Sequence, residues 1–256
     1  MERAAGSLMT ILFTHGNAED LGQVRGWMKV VSDSVGVNVM SYDYEGYGQN
    51  RGVCSEMNCN RDIERVWEWL TRVKGIEPHS IILMGRSIGT GPTTHLASLL
   101  SRRHNQQPPH QHNSSISNSS SDQQQQHHHS VGFDDGEEQE KKQEMFGGVV
   151  LQSGMSSCVR VMSQALSHLP MTDMFDNIEK IGDVRRPVMI VHGKMDNVIP
   201  FEHGQALWDR VMPEMKWKFV QLEKAGHNDI ELNCRQQLLS SLSQFVDFLY
   251  HHPPSS

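Results

Sequence analysis

Ser80-Ile81-Ile82-Leu83-Met84-Gly85-Arg86-Ser87-Ile88-Gly89-Thr90-Gly91 sets the reading of this chain. Four apolar residues with strong β preference, Ile81 to Met84, run into Gly-x-Ser-x-Gly, and a helical pattern follows. That order describes a sharp strand-to-helix turn in which the two glycines remove side chains where strand and helix nearly touch. Ser87 is then held out at the N-terminus of a helix, where free backbone N–H groups and the helix dipole favour a developing negative charge. The five-residue pattern alone arises by chance in roughly one chain in ten of this length. The rest of the chain therefore has to decide between a nucleophile and an ordinary capping serine.

Working outward, apolar runs and helical stripes alternate. Met9 to Thr14 reads as a buried strand ending in His15-Gly16-Asn17, followed by a helix with Leu21, Val24, Trp27, Met28 and Val31 on one face and Gly36 as its stop. Val37 to Tyr42 is a second strand, which enters the Gly-rich loop Asp43 to Gly48. Ser55 is the predicted N-cap of a helix carrying Ile63, Val66, Trp67, Leu70 and Val73, with Gly75 at its end. After the Ile81 strand, the elbow helix is expected to reach about Arg103. Further strands are expected at Gly148–Leu151, Val188–Val191 and Lys216–Leu222, with helices at Glu202–Val211 and around Leu238 to Leu249. The expected fold class is α/β: a mostly parallel sheet with helices on both faces, one domain over residues 1–256.

In such a sheet the loops at the carboxyl ends of the strands share one edge, where ligands bind. His15-Gly16-Asn17, Ser87, Asp196 and His227 all fall on those loops. The order Ser, Asp, His is that of an α/β-hydrolase triad, with Ser87 as nucleophile, His227 as base and Asp196 as the residue that orients it. Asp173, Asp176 and Asp183 compete with Asp196 for that role. The backbone N–H groups of Ile88 and Asn17 are the expected oxyanion hole, with Ala18 as the alternative second donor. His15 is read as a brace for the oxyanion loop, Asp43 and Tyr44 as loop-forming residues, and Asp229 as a cap of the last helix.

Two segments stand apart. Residues 104–144 are Gln, His, Ser, Asn and acidic residues, including Gln123 to Gln126 and His127 to His129, too polar to repay ordering. They are read as a disordered low-complexity insertion. Residues 155–183 are Met-rich at their start and occupy the place of a cap over the site.

The whole-chain values set limits. The chain has 256 residues, 37% hydrophobic, mean hydropathy −0.51, a formal net charge of −7 and a pI near 6.1. An acidic chain argues against nucleic-acid binding and against a polybasic membrane patch. Four cysteines, Cys54, Cys59, Cys158 and Cys234, form no Cys-x-x-Cys pair, so neither a zinc site nor any other cofactor is expected. No signal peptide and no membrane-length apolar run is visible.

Leu12 to Gly22, Ser41 to Gly48, Gly85 to Thr90 and Ala225-Gly226-His227-Asn228-Asp229 together resemble the α/β-hydrolase domain-containing protein 17 group and its Bem46-like relatives. The resemblance spans nearly all of the chain except the insertion. It implies a serine hydrolase that removes palmitoyl chains from cysteines, with S-acylated proteins or acyl esters as partners, acting as a monomer. It also implies a cytoplasmic place, or a peripheral one at the cytoplasmic face of plasma or endosomal membranes. Family members carry two strands ahead of the His-Gly-Asn strand and a cysteine-rich N-terminus. Neither is found here, so the N-terminal strands are expected to be missing, the Val37 strand to form a sheet edge, and membrane contact to come only through substrate or a missing N-terminus. Two other readings stand beside this one: a carboxylesterase, monoacylglycerol lipase or serine peptidase on small substrates, and a truncated, inactive binding scaffold.

Overall fold

The computed structural model describes residues 9–106, 145–158 and 174–253. In chain order the elements are β1 (Thr10–Thr14), α1 (Leu21–Val35), β2 (Asn38–Ser41), α2 (Glu56–Glu68), β3 (Ile81–Arg86), α3 (Thr90–Gln106), β4 (Gly148–Gln152), α4 (Asn177–Lys180), β5 (Val188–Gly193), α5 (Phe201–Arg210), β6 (Lys216–Leu222), α6 (Ile230–Asn233) and α7 (Arg235–His251). The strands form one six-stranded sheet in the order β2-β1-β3-β4-β5-β6, parallel at every pairing. β3 lies at the centre, between β1 and β4, so the Ser87 turn leaves the most enclosed part of the sheet. Among the described residues β2 is an edge strand.

The strands read as continuous apolar runs because both faces are covered. Alternate residues feed two cores. Leu12, Ile81, Leu83, Val149, Leu151, Val188 and Ile190 pack with α2, α3 and α5 on one face. Ile11, Phe13, Ile82, Met84, Val150, Met189 and Val191 pack with α1 and α7 on the other. Full burial of one such side chain stabilises by about 1.5–3 kcal/mol, so a slip of one residue in β3 would exchange both sets at once.

Local signals act as expected at both edges of the sheet. Gly36 takes φ 70° and closes α1, its N–H donating to Ser32. Ser55 caps α2, accepting from the Asn58 N–H at 3.1 Å. Other expected bounds shift. β3 extends to Arg86 rather than Met84, because β4 keeps it hydrogen-bonded through the Arg86–Gln152 pair. α3 extends to Gln106, so residues 104–106 of the expected insertion form its last turn; the remainder, from 107 to 144, lies outside the described residues. Of the expected cap, residues 155–158 and 174–183 are described. α2 does not run evenly to Gly75 but widens into a π-turn over Trp69–Val73.

Candidate active site

Ser87 follows β3 directly and has φ +53°, a left-handed conformation that costs a non-glycine residue energy. Its surroundings enforce it. A Cβ at Gly85 would stand 2.5 Å from the Gly89 carbonyl oxygen, and a Cβ at Gly89 would overlap the carbonyl oxygen of Thr14. The two glycines are therefore required by backbone packed against backbone, not by chain flexibility. The strain presents the Ser87 hydroxyl to His227: the Ser87 Oγ to His227 Nε2 distance is 2.9 Å.

His227 sits on the loop that leaves β6. Its Nδ1 lies 2.8 Å from Oδ2 of Asp196, on the loop that leaves β5. The other carboxylate oxygen, Oδ1, accepts the backbone N–H groups of Val198 (3.0 Å) and Ile199 (2.8 Å). Burial alone would raise the Asp196 pKa, but the His227 hydrogen bond and the Ile199 and Val198 amides override it and hold the carboxyl below its ordinary value. An ionised Asp196 fixes the tautomer with the proton on His227 Nδ1, leaving Nε2 free to accept from Ser87. Of the competing acids, Asp183 is instead paired with Arg102 at 2.6 Å and Asp176 precedes α4. Asp173 lies outside the described residues.

The loop after β1 lies against this centre. A Cβ built on Gly16 would be 3.7 Å from the Ser87 Cβ, so the backbone at Gly16 lies against the nucleophile. Asn17 comes next, and Tyr47 donates to its side-chain oxygen at 2.6 Å. Ala18 has φ +56°. Ile88 lies in the single 3-10 turn, Ser87–Gly89, that opens the elbow helix. His15 is fully buried; its Nδ1–H donates to Gly16 O at 2.9 Å and its ring packs 4.4 Å from that of Tyr44, whose hydroxyl donates to His15 O. The His15 brace expected from sequence is thus present, and Tyr44 contributes to it more than loop formation.

Asp229 differs from expectation. It makes no side-chain cap to α6. Its Oδ1 accepts the Gly226 N–H at 2.7 Å and its Oδ2 accepts from Asn233 at 2.8 Å, so it ties down the turn that carries His227. A carboxylate two residues after the histidine reaches back across the tight Gly226 turn more easily than forward to the helix.

Sequence reasoning also missed His192. It is fully buried on β5, donates Nε2–H to Ile199 O at 2.9 Å, and its Nε2 stands 3.5 Å from Asp196 Oδ2. Burial lowers its pKa, so the ring is neutral behind the Asp196 carboxylate. No periodicity marks such a residue; the strand simply contains a histidine where an apolar residue would also fit.

A shallow groove of about 350 Å³ borders His227, lined by Met195, Asn197, Lys224 and Asn228. Of the exposed large apolar side chains among the described residues, Leu21, Val53, Met57, Met174, Met195, Val198 and Leu232 belong to loops or first turns that leave carboxyl ends of strands, whereas Trp69, Val73 and Tyr250 lie at the far ends of helices. Among the described residues, no group of three or more metal-ligating side chains gathers, and no helix is long and apolar enough to cross a membrane.

No family model matches the chain. It is 35% identical over 251 residues to α/β hydrolase domain-containing protein 17C of Xenopus tropicalis, covering 98% of this chain and 64% of that protein. It is 34% identical over 237 residues to human α/β hydrolase domain-containing protein 17B, covering 93% of this chain and 66% of that one. The chain thus spans just under two thirds of these relatives. Among solved structures, a Paleococcus ferrophilus monoacylglycerol lipase superposes with a TM-score of 0.61 at 15% identity, covering 95% of this chain and 96% of that one. Mouse α/β hydrolase domain-containing protein 10 gives 0.59 at 15% identity, with 97% and 98% covered. At that identity both show the fold alone.

Proposed function

Because the chain belongs to the α/β-hydrolase family, as a homologue of α/β hydrolase domain-containing proteins 17B and 17C, we propose that it is a serine hydrolase that cleaves the thioester between a long acyl chain and a protein cysteine. The observation that carries the reading is the continuous path from Ser87 Oγ to His227 Nε2 at 2.9 Å and from His227 Nδ1 to Asp196 Oδ2 at 2.8 Å. Ser87 Oγ attacks the thioester carbonyl carbon while its proton passes to His227 Nε2. The carbonyl oxygen becomes an oxyanion, held by the N–H groups of Ile88 and Asn17. Collapse of the tetrahedral intermediate breaks the C–S bond, and His227 returns the proton to the departing thiolate. Water, deprotonated by the same histidine, then attacks the acyl-serine and releases a fatty acid and free Ser87.

The acyl part of the proposal is supported by the apolar side chains on loops of this edge and by what the resemblance of the sequence motifs to the 17 group implies. With that substrate class the proposal includes S-acylated proteins as partners and the cytoplasmic face of membranes as the place of work. The test uses the full chain with a fluorophosphonate probe, an S-palmitoyl peptide and p-nitrophenyl acetate. The proposal expects probe labelling that Ser87→Ala abolishes, and thiol release from the palmitoyl peptide. Turnover of the acetate with no thiol release would replace it with a small-ester hydrolase. Absence of labelling in the wild-type chain would leave an inactive scaffold.

A further inference from the structure

Arg86, the residue directly before the nucleophile, faces neither apolar core and is largely enclosed, with 14% of its side chain exposed. Its guanidinium meets groups from two other catalytic-edge loops. Nη1 donates to Glu19 Oε1 at 2.6 Å. Nη2 donates to the side-chain oxygen of Asn228, the neighbour of His227, at 3.4 Å. Nε stands 3.6 Å from Glu231, which also accepts from Gln152 at 2.6 Å. Glu19 uses its second oxygen on its own loop: Oε2 accepts the Gly16 N–H at 2.6 Å. That bond closes a four-residue ring, Gly16 to Glu19, containing Asn17 and the strained Ala18 at φ +56°. A Cβ at Gly16 would lie 2.9 Å from Glu19 Oε2, so the ring is tight.

We propose that Glu19 and Arg86 are positioning residues that lock the Gly16–Glu19 loop against the nucleophile turn and so fix the Asn17 amide for the oxyanion. The inference rests on the Ser87 reading above. A planar guanidinium offers donors in several fixed directions, which suits one side chain to hold the elbow, the oxyanion loop and the base loop in register. Charge-assisted bonds of this kind are short and directional. The Ala18 conformation is uphill for its residue type, and the ring opposes its relaxation. An oxyanion donor matters most in the transition state, so loosening this loop should cost turnover and spare substrate binding.

The experiment measures p-nitrophenyl butyrate hydrolysis and inhibition by an alkyl trifluoromethyl ketone, whose serine adduct carries the oxyanion. Full-length variants Glu19→Ala, Glu19→Gln, Arg86→Lys, the reversed pair Glu19→Arg with Arg86→Glu, and Ser87→Ala are compared. Glu19→Ala should lower kcat by roughly tenfold to a hundredfold with KM within about twofold, and weaken the ketone by a similar factor. Glu19→Gln should lose less, since its amide oxygen still accepts from Gly16, and it also serves if the Ala variant fails to fold. The reversed pair should stay impaired, because an arginine at position 19 has no acceptor for the Gly16 N–H. Recovery in the reversed pair would show an ordinary ion pair and overturn the proposal. So would a wild-type kcat in soluble Glu19→Ala, or a loss confined to KM. If Ser87→Ala retained turnover, the Ser87 reading and the clamp would both fall. If Ser87→Ala were inert and Glu19→Ala fully active, the clamp alone would fall.

Discussion

The two edges of the sheet turn the chain between strand and helix with different residues. At the amino edge the left-handed backbone positions are taken by glycines, Gly36 at φ 70° and Gly75 at φ 66°. At the carboxyl edge glycines take positive φ in the loop after β2, at Gly46, Gly48 and Gly52, but the non-glycine residues Ala18, Ser87, Ser153 and Phe175 are held there too, with φ between 48° and 56°. Among the buried polar residues described, the histidines and the carboxylate, His15, His192, Asp196 and His227, lie at carboxyl ends of strands or on the loops that leave them, whereas at the amino edge the buried polar groups are hydroxyls such as those of Thr10 and Ser80. A turn whose only task is reversal takes the residue with the lowest conformational cost. A turn that must aim a side chain accepts strain, and the surrounding contacts hold it.

That contrast breaks most visibly at Ser87. Ser87→Ala should lower kcat by roughly 10⁴–10⁶, with Tm unchanged or slightly raised, since a strained residue loses a hydroxyl and no packing. Single-turnover kinetics and thermal unfolding on the same preparation check both halves.

Asp196→Asn comes next. An amide at that position would present an N–H to His227 Nδ1 and favour the wrong tautomer, and kcat should fall by about 10⁴. The substitution also has a pH signature. The folded pKa of Asp196 is lowered from 3.8, so its stabilising contribution is present above that unfolded value and is lost as pH falls through the lower folded one. The Tm gap between wild type and Asp196→Asn should therefore be constant from pH 7 to 5 and narrow below about 4. A gap that widened on acidification would contradict the assigned direction.

Gly89→Ala and Gly36→Ala sharpen the comparison by making one change at each edge. At Gly89 the new Cβ would overlap backbone of Thr14 and lie 2.6 Å from the His15 carbonyl oxygen, and neither can move without shifting β1. A loss of about 3 kcal/mol or more is expected, with activity lost as well. At Gly36 the cost is the left-handed φ, about 1 kcal/mol, and kcat should not change. Denaturant titration with activity measured at low denaturant separates the two outcomes.

Much of this was open to sequence reasoning for a physical reason. Strands buried on both faces appear as unbroken apolar runs, Ile81–Met84 and Val188–Val191 among them, and helices as three-and-four stripes such as Ile63, Val66, Trp67 and Leu70. Once strands and helices alternate, the loops with Ser87, Asp196 and His227 must share an edge. The contacts that hold those loops were not legible. Arg86 meets Glu19 only because β1 and β3 are neighbours, and strand order leaves no trace in periodicity. Asp229 looked like a cap because a lone acid before a helix is the commonest cap signal, yet its nearest donor lies backwards, at Gly226. His192 is hidden for the same reason as any buried polar residue: its partners are decided by the tertiary fold.

The smallest effect is expected from the longest change. Residues 107–144 connect the end of α3 to the segment before β4. α3 starts at the nucleophile turn and runs 17 residues, roughly 25 Å at 1.5 Å per residue, so it delivers the chain to the amino edge. The chain returns there too: Phe146 is fully buried, and the Gly147 N–H donates to Ile81 O, at the start of β3, at 2.8 Å. Both anchors therefore stand across the sheet from Ser87, and a Gly/Ser linker in place of 107–144 meets well-held ends. Closure entropy changes only slowly with loop length, by about 0.6 kcal/mol for each doubling. The replacement should leave kcat/KM within about threefold and Tm nearly unchanged or slightly raised. A large fall in kcat/KM at unchanged Tm would mean that residues anchored at the amino edge reach the catalytic one, and the division of labour between the two edges would no longer hold.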